Sequence, residues 1–173
     1  MTENCKPGDY ETADCEVIVS PDGRQSATAA EIARGTVRYL IELGHACVAE
    51  LPLPNGQRAD ITALSPNGRI LIVEIKSCLN DFRTDQKWSG YRDFCDELYF
   101  AVKPDFPAAI LPEDAGLILA DRYGGETIRP APETPITAAR RKAMTLRFAR
   151  AAALRLSASL DPGLKLALSG NVS

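Results

Sequence analysis

The pattern of apolar and polar positions changes its period several times along the chain, and the order of these changes predicts the fold. Residues 28–44 carry apolar side chains at helical spacing, which predicts an amphipathic first helix. Two more helical stretches cover residues 81–96 and 134–158. Patterns typical of strands occupy residues 45–53, 58–64, 69–76, 97–102, 116–120 and 125–129. Helices and strands in this order predict an α/β domain with a central mixed β-sheet flanked by α-helices.

The first helix carries its own boundary signals and two distinct faces. Thr28 and Glu31 have the spacing of a capping box at its start, and a glycine at position 44 supplies the stop. We expect a polar face on the side of Glu31 and Gly35, where the glycine would let a strand or a ligand approach closely. The apolar stripe that should face the sheet consists of Ile32, Val37, Leu40 and Ile41.

Charge is distributed unevenly and divides the chain into three parts. Residues 1–25 are acidic and lack periodicity, which predicts a flexible N-terminal arm with a short strand pattern at CEVIVS. The domain itself is predicted over residues 26–157, and a C-terminal tail over residues 158–173. Seven basic residues against one acid after residue 136 give this protein of net charge −3 a basic region, which favours a nucleic-acid partner.

Composition excludes several other classes of protein. No apolar run approaches the roughly 20 residues that span a bilayer, and the polar N-terminus has no signal-peptide pattern. Five scattered cysteines without a CxxC motif, together with the single histidine His45, do not form a zinc site. These features predict a cytoplasmic protein with reduced thiols and no membrane partner.

The stretch RADITALSPNGRILIVEIKS, residues 58–77, predicts two strands around a turn. In its SPNG segment, proline and glycine fit a type I turn closed by a left-handed glycine, and Ser65 then pairs with Arg69. This register sets Asp60 directly opposite Glu74, whereas a plain four-residue loop would put the two carboxylates on opposite faces. The other face of the predicted hairpin carries Ala59, Ile61, Ala63, Leu71, Val73 and Ile75.

The repulsion between the two facing carboxylates has to be compensated by a positive charge. Two carboxylates opposite each other, with β-carbons roughly 5 Å apart, destabilise a strand pair. A divalent cation would compensate them, since Mg²⁺ or Mn²⁺ prefers carboxylate, carbonyl and water oxygens. Lys76 lies on the same predicted face, and the carbonyl of Ile75 supplies a further oxygen. The alternative is a solvated hairpin face on which Arg58 and Lys76 screen the acids, although the apolar residues beside them argue against open solvent.

Beyond the two acids, a longer series of motifs resembles one family. The series comprises RGTVRYL, RADITAL, IVEIKSCLNDFRTDQKWSGYRDFCDELYFAV, GLILADRYGGE and ARRKAMTLRFARAAALRL. It is similar to the MmcB-type family of bacterial DNA-repair proteins, over about residues 26–157. The spacing of Asp60 and Glu74-Ile75-Lys76 resembles the signature of the PD-(D/E)XK nuclease superfamily. The resemblance implies a restriction-endonuclease-like core and hydrolysis of DNA phosphodiester bonds with Mg²⁺ or Mn²⁺.

Carried over to this sequence, the resemblance assigns roles to single residues. It implies that Asp60 and Glu74 are metal ligands and that Lys76 is the catalytic lysine. It also implies a further catalytic acid on the first helix, where Glu31 is the candidate and Glu50, on the next strand, is its rival. The alternative role for Glu31 is helix capping. Alanine precedes Asp60, at the position where the superfamily is named for a proline.

Polar residues on the last two predicted helices are candidates for DNA binding. A basic stripe on the final helix can hold phosphates without reading sequence, although an ordinary solvated face explains it equally well. Trp88 is predicted to belong to the core rather than to a platform for base stacking. The stripe consists of Arg140, Arg147, Arg150 and Arg155, and the preceding helix contributes Gln86, Lys87 and Tyr91.

These features predict a DNA-repair-associated, Mg²⁺-dependent deoxyribonuclease whose partners are DNA and other repair proteins. The alternative is a catalytically inactive DNA-binding or adaptor module that has kept the nuclease fold. A metal-free domain with an unrelated small-molecule site is a third interpretation. The sequence leaves open the DNA structure, the endo- or exonuclease mode, and the oligomeric state, for which a homodimer is one alternative.

Overall fold

The part of the chain that the structure describes contains six strands and three α-helices. The computed structural model describes residues 26–84, 87–161 and 163, so the predicted strand at CEVIVS lies outside the described residues. The strands are β1 (Ala46–Pro52), β2 (Arg58–Leu64), β3 (Ile70–Ile75), β4 (Glu97–Val102), β5 (Gly116–Ala120) and β6 (Gly125–Arg129). The α-helices are α1 (Ala27–Glu42), α2 (Leu79–Thr84) and α3 (Ala138–Leu160), and two 3-10 helices span Lys87–Phe94 and Ala108–Ile110.

The strands follow each other across the sheet in chain order. β1, β2 and β3 form an antiparallel meander, β4 and β5 run parallel to β3, and β6 returns antiparallel to β5. The crossover from β3 to β4 contains α2 and the first 3-10 helix, because parallel strands require a long connection. The predicted α/β class, with a central mixed sheet flanked by helices, is confirmed.

Each face of the sheet buries its own apolar cluster. α1 covers one face, where Ile32 packs with Ile61. α3 and the first 3-10 helix cover the other face, where Met144 and Phe148 pack with Ile72. β3 lies between the two clusters, and all six of its residues are buried. A charged side chain on this central strand is therefore enclosed on whichever face it lies.

The first helix differs from its predicted start and from its predicted buried face. Its N-cap is Ser26, whose Oγ accepts a hydrogen bond from Ala29 N at 3.1 Å. The predicted capping box of Thr28 and Glu31 is therefore wrong, since the helix begins before Thr28. Ile41, predicted to be buried, is 56% exposed, so that prediction is wrong as well.

Gly35 accounts for the buried face that α1 presents. The helix buries Ile32, Gly35, Thr36 and Leu40. A Cβ on Gly35 would lie 1.7 Å from Asp121 O, so the glycine permits α1 to pack against the backbone of the β5–β6 turn. The predicted close approach at Gly35 is confirmed. The prediction that Gly35 lies on the polar face of α1 is wrong, because this tertiary contact sets the rotation of the helix.

The SPNG turn has the predicted geometry and sets the predicted register. Gly68 has a φ of 81°, and Ser65 N donates a hydrogen bond to Arg69 O at 2.9 Å. The β2–β3 ladder includes the pair Ile61 and Val73, which confirms the register. One step further along the hairpin, the two predicted carboxylates face each other.

Pairing between β1 and β2 is interrupted beside those carboxylates. Ladder pairs flank the gap at Ala49 with Ile61 and at Leu51 with Ala59, and Glu50 in the gap has a φ of 48°. Beyond the gap, Leu51 and Ala59 pack in the cluster on the α3 side. The predicted placement of Ala59 on the face of Ile61 is therefore wrong, because the alternation of faces is reset at the gap.

Candidate functional site

Two acidic side chains meet where β2 and β3 leave the regular ladder. Asp60 Oδ2 accepts a hydrogen bond from Ile75 N at 2.8 Å, which ties the side chain on β2 to the backbone of β3. The carboxyl groups of Asp60 and Glu74 are in direct contact, and this contact influences the pKa of Asp60. Two carboxyl groups in such contact do not both ionise readily, because like charges at this distance repel. The structure therefore brings together the two acids that the register places opposite each other.

Lys76 is enclosed beside the same acids. Its side chain is 1% exposed, and Nζ lies 3.2 Å from Glu74 Oε1, on a side chain that is itself 5% exposed. Lys76 N donates a hydrogen bond to Ala101 O of β4 at 3.0 Å, so the sheet holds the lysine backbone in place. An ammonium group so deeply buried is tolerated only when an acid pairs with it. Asp60, Glu74 and Lys76 are called the candidate site below.

Aromatic rings pack beside the candidate site. Phe100 of β4 is the ladder partner of Glu74, and it is completely buried. The rings of Phe82 and Trp88 meet Phe100 edge-on, with centroid distances of 5.8 and 5.4 Å. Trp88 is thus a packing residue, as predicted. Because these rings keep the surroundings apolar, electrostatic interactions within the site are stronger than they would be in water.

Burial raises the pKa of the Asp60 carboxyl above its usual range, and the nearby negative charge of Asp81 raises it further. The hydrogen bond from Ile75 N and the positive charge of Lys76 oppose this rise without cancelling it. Asp60 therefore holds its proton to a higher pH than an ordinary aspartate. A cation that binds the Asp60 carboxylate must displace this proton.

Asp81 is a third acid close to the candidate site, and it is not among the predicted site residues. It lies in the first turn of α2, and its Oδ2 accepts hydrogen bonds from Ser77 N at 3.1 Å and from Ser77 Oγ at 3.3 Å. These bonds hold the start of α2 against the end of β3. A serine four residues before an aspartate, just after a strand, was the available sequence signal for this contact.

The two acids predicted to complete the site pair with bases elsewhere. Glu31 Oε2 lies 3.9 Å from Lys103 Nζ, and the Glu31 side chain is 42% exposed. Glu50 Oε2 lies 3.3 Å from Arg58 Nη1. Within the described residues, no three His, Cys, Asp or Glu side chains are grouped so that they could hold a metal ion. The structure thus brings together two of the predicted acids and the lysine, but neither candidate for a further catalytic acid.

Comparison with protein families adds an independent observation. A model of the MmcB-like DNA repair protein family matches residues 17–163, a range that includes all six strands and the three α-helices. This chain belongs to the MmcB-like family. The predicted family is thereby confirmed, and DNA repair is the process with which the family is associated.

One solved structure is similar to this MmcB-like chain over most of both lengths. It is the SPO1766 protein of unknown function from Silicibacter pomeroyi, with 40% sequence identity and a TM-score of 0.78. The similarity covers 82% of this chain and 97% of that chain. No curated protein matches the sequence. Across the described ranges, none of the helices is long and apolar enough to cross a membrane.

The first 3-10 helix carries two of the residues predicted to bind DNA in this MmcB-like protein. Tyr91 is 4% exposed, and its hydroxyl donates a hydrogen bond to Arg58 O at 3.1 Å. The predicted DNA contact of Tyr91 is therefore wrong, because the helix turns this ring into the core. Lys87 is exposed, and its carbonyl accepts a hydrogen bond from Gln57 Nε2 at 2.8 Å. Gln86 lies outside the described residues.

The arginine stripe of α3 mostly contacts the protein itself. Arg140 Nη1 lies 2.8 Å from Asp93 Oδ1. Arg147 and Arg155 each donate a hydrogen bond of 3.1 Å to a backbone carbonyl of β1. Since β1 is an edge strand, these guanidinium groups satisfy carbonyls that would otherwise be left unpaired by the sheet. DNA binding by Arg140 and Arg147 stays a prediction.

Proposed function

We propose that this MmcB-like protein is a DNA-repair nuclease of the PD-(D/E)XK type, which hydrolyses phosphodiester bonds in DNA with Mg²⁺ or Mn²⁺. The observation that carries the proposal is the candidate site itself. A nearly inaccessible Lys76 lies 3.2 Å from Glu74, and the carboxyl group of Glu74 contacts that of Asp60. The family's association with DNA repair supports DNA as the substrate.

The candidate site has no evident value for stability, and this favours a role in function. Burial of an ion pair costs desolvation that the attraction between its partners often fails to offset, so apolar residues of similar size would stabilise the sheet at least as well. Here two acids compete for one base, and the pKa of Asp60 is raised as a result of burial and neighbouring charge. Perturbed carboxyl groups of this kind are concentrated in active sites.

The residues present fit a small divalent cation. The carboxylates of Asp60 and Glu74 and the carbonyl of Ile75 are hard oxygen donors, the type that Mg²⁺ and Mn²⁺ prefer, and Mg²⁺ commonly binds one or two carboxylates with water completing its coordination. The contact between the two carboxyl groups would be relieved by a positive ion. When bound, the metal would supply Lewis-acid activation of a phosphate and of a water molecule.

Each residue of the candidate site has a separate task in this proposal. Lys76, held by its bond to Glu74, would neutralise negative charge that develops on the phosphate and orient the attacking water. Asp60 is fixed by the N–H of Ile75, so its carboxylate needs little reorganisation. Glu31 is left out of the proposed machinery, because its carboxylate pairs with Lys103.

For DNA binding we propose Lys87, which is exposed on the 3-10 helix that follows α2. Arg140 and Arg147 would contribute only if a phosphate replaced their present contacts with Asp93 and with β1. Contacts of this kind attract the phosphate backbone without reading base sequence. We therefore expect a strong dependence of DNA affinity on salt concentration and little dependence on sequence.

The test is cleavage of single-stranded, duplex, flapped and branched DNA in the presence of Mg²⁺ or Mn²⁺. We expect Glu74→Gln and Lys76→Met each to reduce the cleavage rate by about 100-fold or more. Glu126→Gln, which removes the same charge from an exposed position on β6, serves as the matched control and should cleave at the wild-type rate. The proposal fails if the wild-type protein cleaves none of these substrates, or if Glu74→Gln cleaves as fast as wild type.

One observation favours the second candidate function, a catalytically inactive DNA-binding module. Glu31 and Glu50 both pair with bases, and the described part of the chain contains no cluster of three potential metal ligands. Such a module would bind DNA with and without metal, and Glu74→Gln would leave the affinity unchanged. Binding that persists without any cleavage would establish this alternative.

A further inference from the structure

The longest helix has one side that the domain leaves uncovered. α3 contains 23 residues, about 35 Å of helix, yet Met144 and Phe148 are its two buried residues. Within proteins, helices gain most of their stability from the packing of an apolar face against other elements. The second half of α3, from Ala153 to Leu160, contributes no residue to the buried core. The uncovered side is therefore a candidate for contact with another helix.

Apolar residues on this uncovered side follow a heptad pattern. Leu146, Leu156 and Leu160 are 56%, 60% and 78% exposed, and Ala149 and Ala153 between them are exposed as well. Their separations along the helix are three, four, three and four residues, which is the spacing of the a and d positions in a coiled coil. These five residues are called the seam below. Its two small central residues would let a second helix approach closely.

We propose that the seam binds the seam of a second copy of this chain, in an antiparallel helix pair with two-fold symmetry. In that arrangement Leu146 packs against Leu156 of the second copy, and Ala149 packs against Ala153 of the second copy. The pattern is thus complementary to itself when the helix is reversed, as a two-fold interface requires. Large residues flank a small centre on both sides.

Most of the positive charge of α3 does not oppose this pairing. Arg140 and Arg141 pair with acids of their own domain, and Arg147 and Arg155 bind carbonyls of β1. Arg150 is the one basic residue at the positions that flank the seam. The remaining flanking positions are neutral: Ala143, Thr145, Ala152, Ser157 and Ser159. An acidic helix would find few free bases beside the seam, so charge favours a second copy over an acidic partner.

Lys142 selects the antiparallel direction. It continues the heptad spacing one step before Leu146, and it is exposed. A parallel pair would place the two copies of Lys142 against each other, whereas the antiparallel pair places each one beside Leu160 of the second copy. There its alkyl stem can cover the leucine while the ammonium group stays in water.

The size of the seam sets the expected strength of the dimer. Together with Lys142, the seam extends over about 28 Å of a helix about 10 Å wide. Stable, specific interfaces bury about 1,200 Å² or more in total, and one pair of helices of this length lies near that lower limit. We therefore expect a reversible dimer that dissociates in the micromolar range and is populated at high protein concentration.

The first test measures molar mass by light scattering and sedimentation from about 1 to about 500 µM protein. Wild type should change from monomer to dimer across this range. Ala149→Arg and Leu156→Arg, each at an exposed position of the seam, should stay monomeric with unchanged circular dichroism. Ala30→Arg, an equivalent change at an exposed position of α1, should dimerise like wild type. A monomeric wild type, or dimers that survive both seam substitutions, would overturn the proposal.

The second test examines the direction of the helices. In an equimolar mixture of Ala149→Cys and Ala153→Cys proteins under mild oxidation, we expect a disulfide-linked heterodimer that wild-type protein does not form. The antiparallel register predicts much less crosslinking for either variant alone. Efficient crosslinking of Ala153→Cys with itself would contradict it, because that outcome indicates parallel helices.

Discussion

Two groups of buried charge lie against the same sheet, and they differ in how completely the charge is satisfied. Asp96, just before β4, accepts two bonds from Arg141, at 2.5 and 2.7 Å. It also accepts bonds from Ile70 N at 2.8 Å and from Ile136 N at 3.0 Å. This arrangement, called the Asp96 clamp below, joins β3, β4 and the start of α3. In the candidate site, by contrast, two carboxyl groups share one lysine.

The pKa values of the two groups move in opposite directions. Burial would raise the pKa of Asp96, but the hydrogen bonds from Arg141 and from two backbone amides outweigh it and hold the pKa below its usual range. Burial and the charge of Asp81 raise the pKa of Asp60, and its partners do not compensate. A buried carboxylate whose hydrogen bonds are all satisfied stabilises the fold. A buried carboxyl group whose charge is not fully compensated is available to bind a ligand.

The largest effect is expected for breaking the Asp96 clamp. Asp96→Ala should lower the free energy of unfolding by about 3 kcal/mol or more, because it leaves the amide groups of Ile70 and Ile136 and the half-buried guanidinium of Arg141 without their acceptor. Urea denaturation measures the loss. Asp93→Ala is the matched control, since it removes an aspartate that pairs with Arg140 at the surface of the same region. An exposed pair should cost less than about 1 kcal/mol. Equal losses would show that the clamp has no special role.

The next effect comes from removing one or both partners of the buried ion pair in the candidate site. Lys76→Met should destabilise the metal-free protein by about 2 kcal/mol at neutral pH, because Glu74 loses its counter-charge. The double variant Glu74→Leu with Lys76→Met should recover most of this loss, since apolar residues of similar size fit the same space. The free energies of unfolding of wild type, Lys76→Met and the double variant are compared by urea denaturation.

The corresponding double replacement should fail in the Asp96 clamp. Asp96→Leu combined with Arg141→Met still leaves Ile70 N and Ile136 N without an acceptor, so little stability should return. If both double variants recover stability equally, or neither does, the proposed distinction between a structural and a functional charge group is wrong.

The sequence predicts those features of the two charge groups that depend on short, local stretches of the chain. The bounds of β2, β4, β5 and β6 agree with the predicted ranges, because each strand is a short segment between clear turn signals. The opposition of Asp60 and Glu74 also follows from one local feature, the left-handed glycine of the SPNG turn. The two carboxylates at the centre of the candidate site were therefore predictable.

Contacts between distant segments were not predictable in the same way. The rotation of α1, which sends Glu31 to Lys103, depends on the fit of Gly35 against the β5–β6 turn. The inward position of Tyr91 depends on a 3-10 helix where an α-helix was expected. The Asp96 clamp joins residues from three parts of the chain, and no local sequence pattern predicts it. The sequence thus predicts the acids of the site better than it predicts their surroundings.

A smaller effect, and one of opposite sign, is expected for Asp60→Asn. In the metal-free protein this change should raise the free energy of unfolding by about 1 kcal/mol at neutral pH, since it removes the less favourable of two crowded charges. Because the folded-state pKa of Asp60 is raised, ionisation makes its contribution less favourable as the pH rises from about 4 through that pKa. The gain from Asp60→Asn should therefore grow across this window in urea denaturation series.

Asp96 should show the reverse dependence on pH. Its folded-state pKa is lowered, so its contribution to stability is complete above the unfolded pKa of about 4 and is lost as the pH falls through the lower folded value. Asp96→Ala should consequently differ least from wild type in strong acid. If the stability changes caused by Asp60→Asn and Asp96→Ala had the same pH dependence, the assignment of opposite pKa shifts would be wrong.

The smallest expected effect is stabilisation of the wild-type protein by the divalent cation that we propose for the candidate site. A cation present at about three times its dissociation constant adds about 0.8 kcal/mol to the free energy of unfolding, which thermal denaturation with Mn²⁺ can detect. The affinity should fall as the pH drops through the raised pKa of Asp60, because the proton and the cation compete for one carboxylate. Asp60→Asn should abolish the stabilisation, whereas Asp93→Ala should leave it intact. If Mn²⁺ stabilised Asp60→Asn as much as wild type, the cation would bind elsewhere, and the conflict of charges in the candidate site would need another explanation.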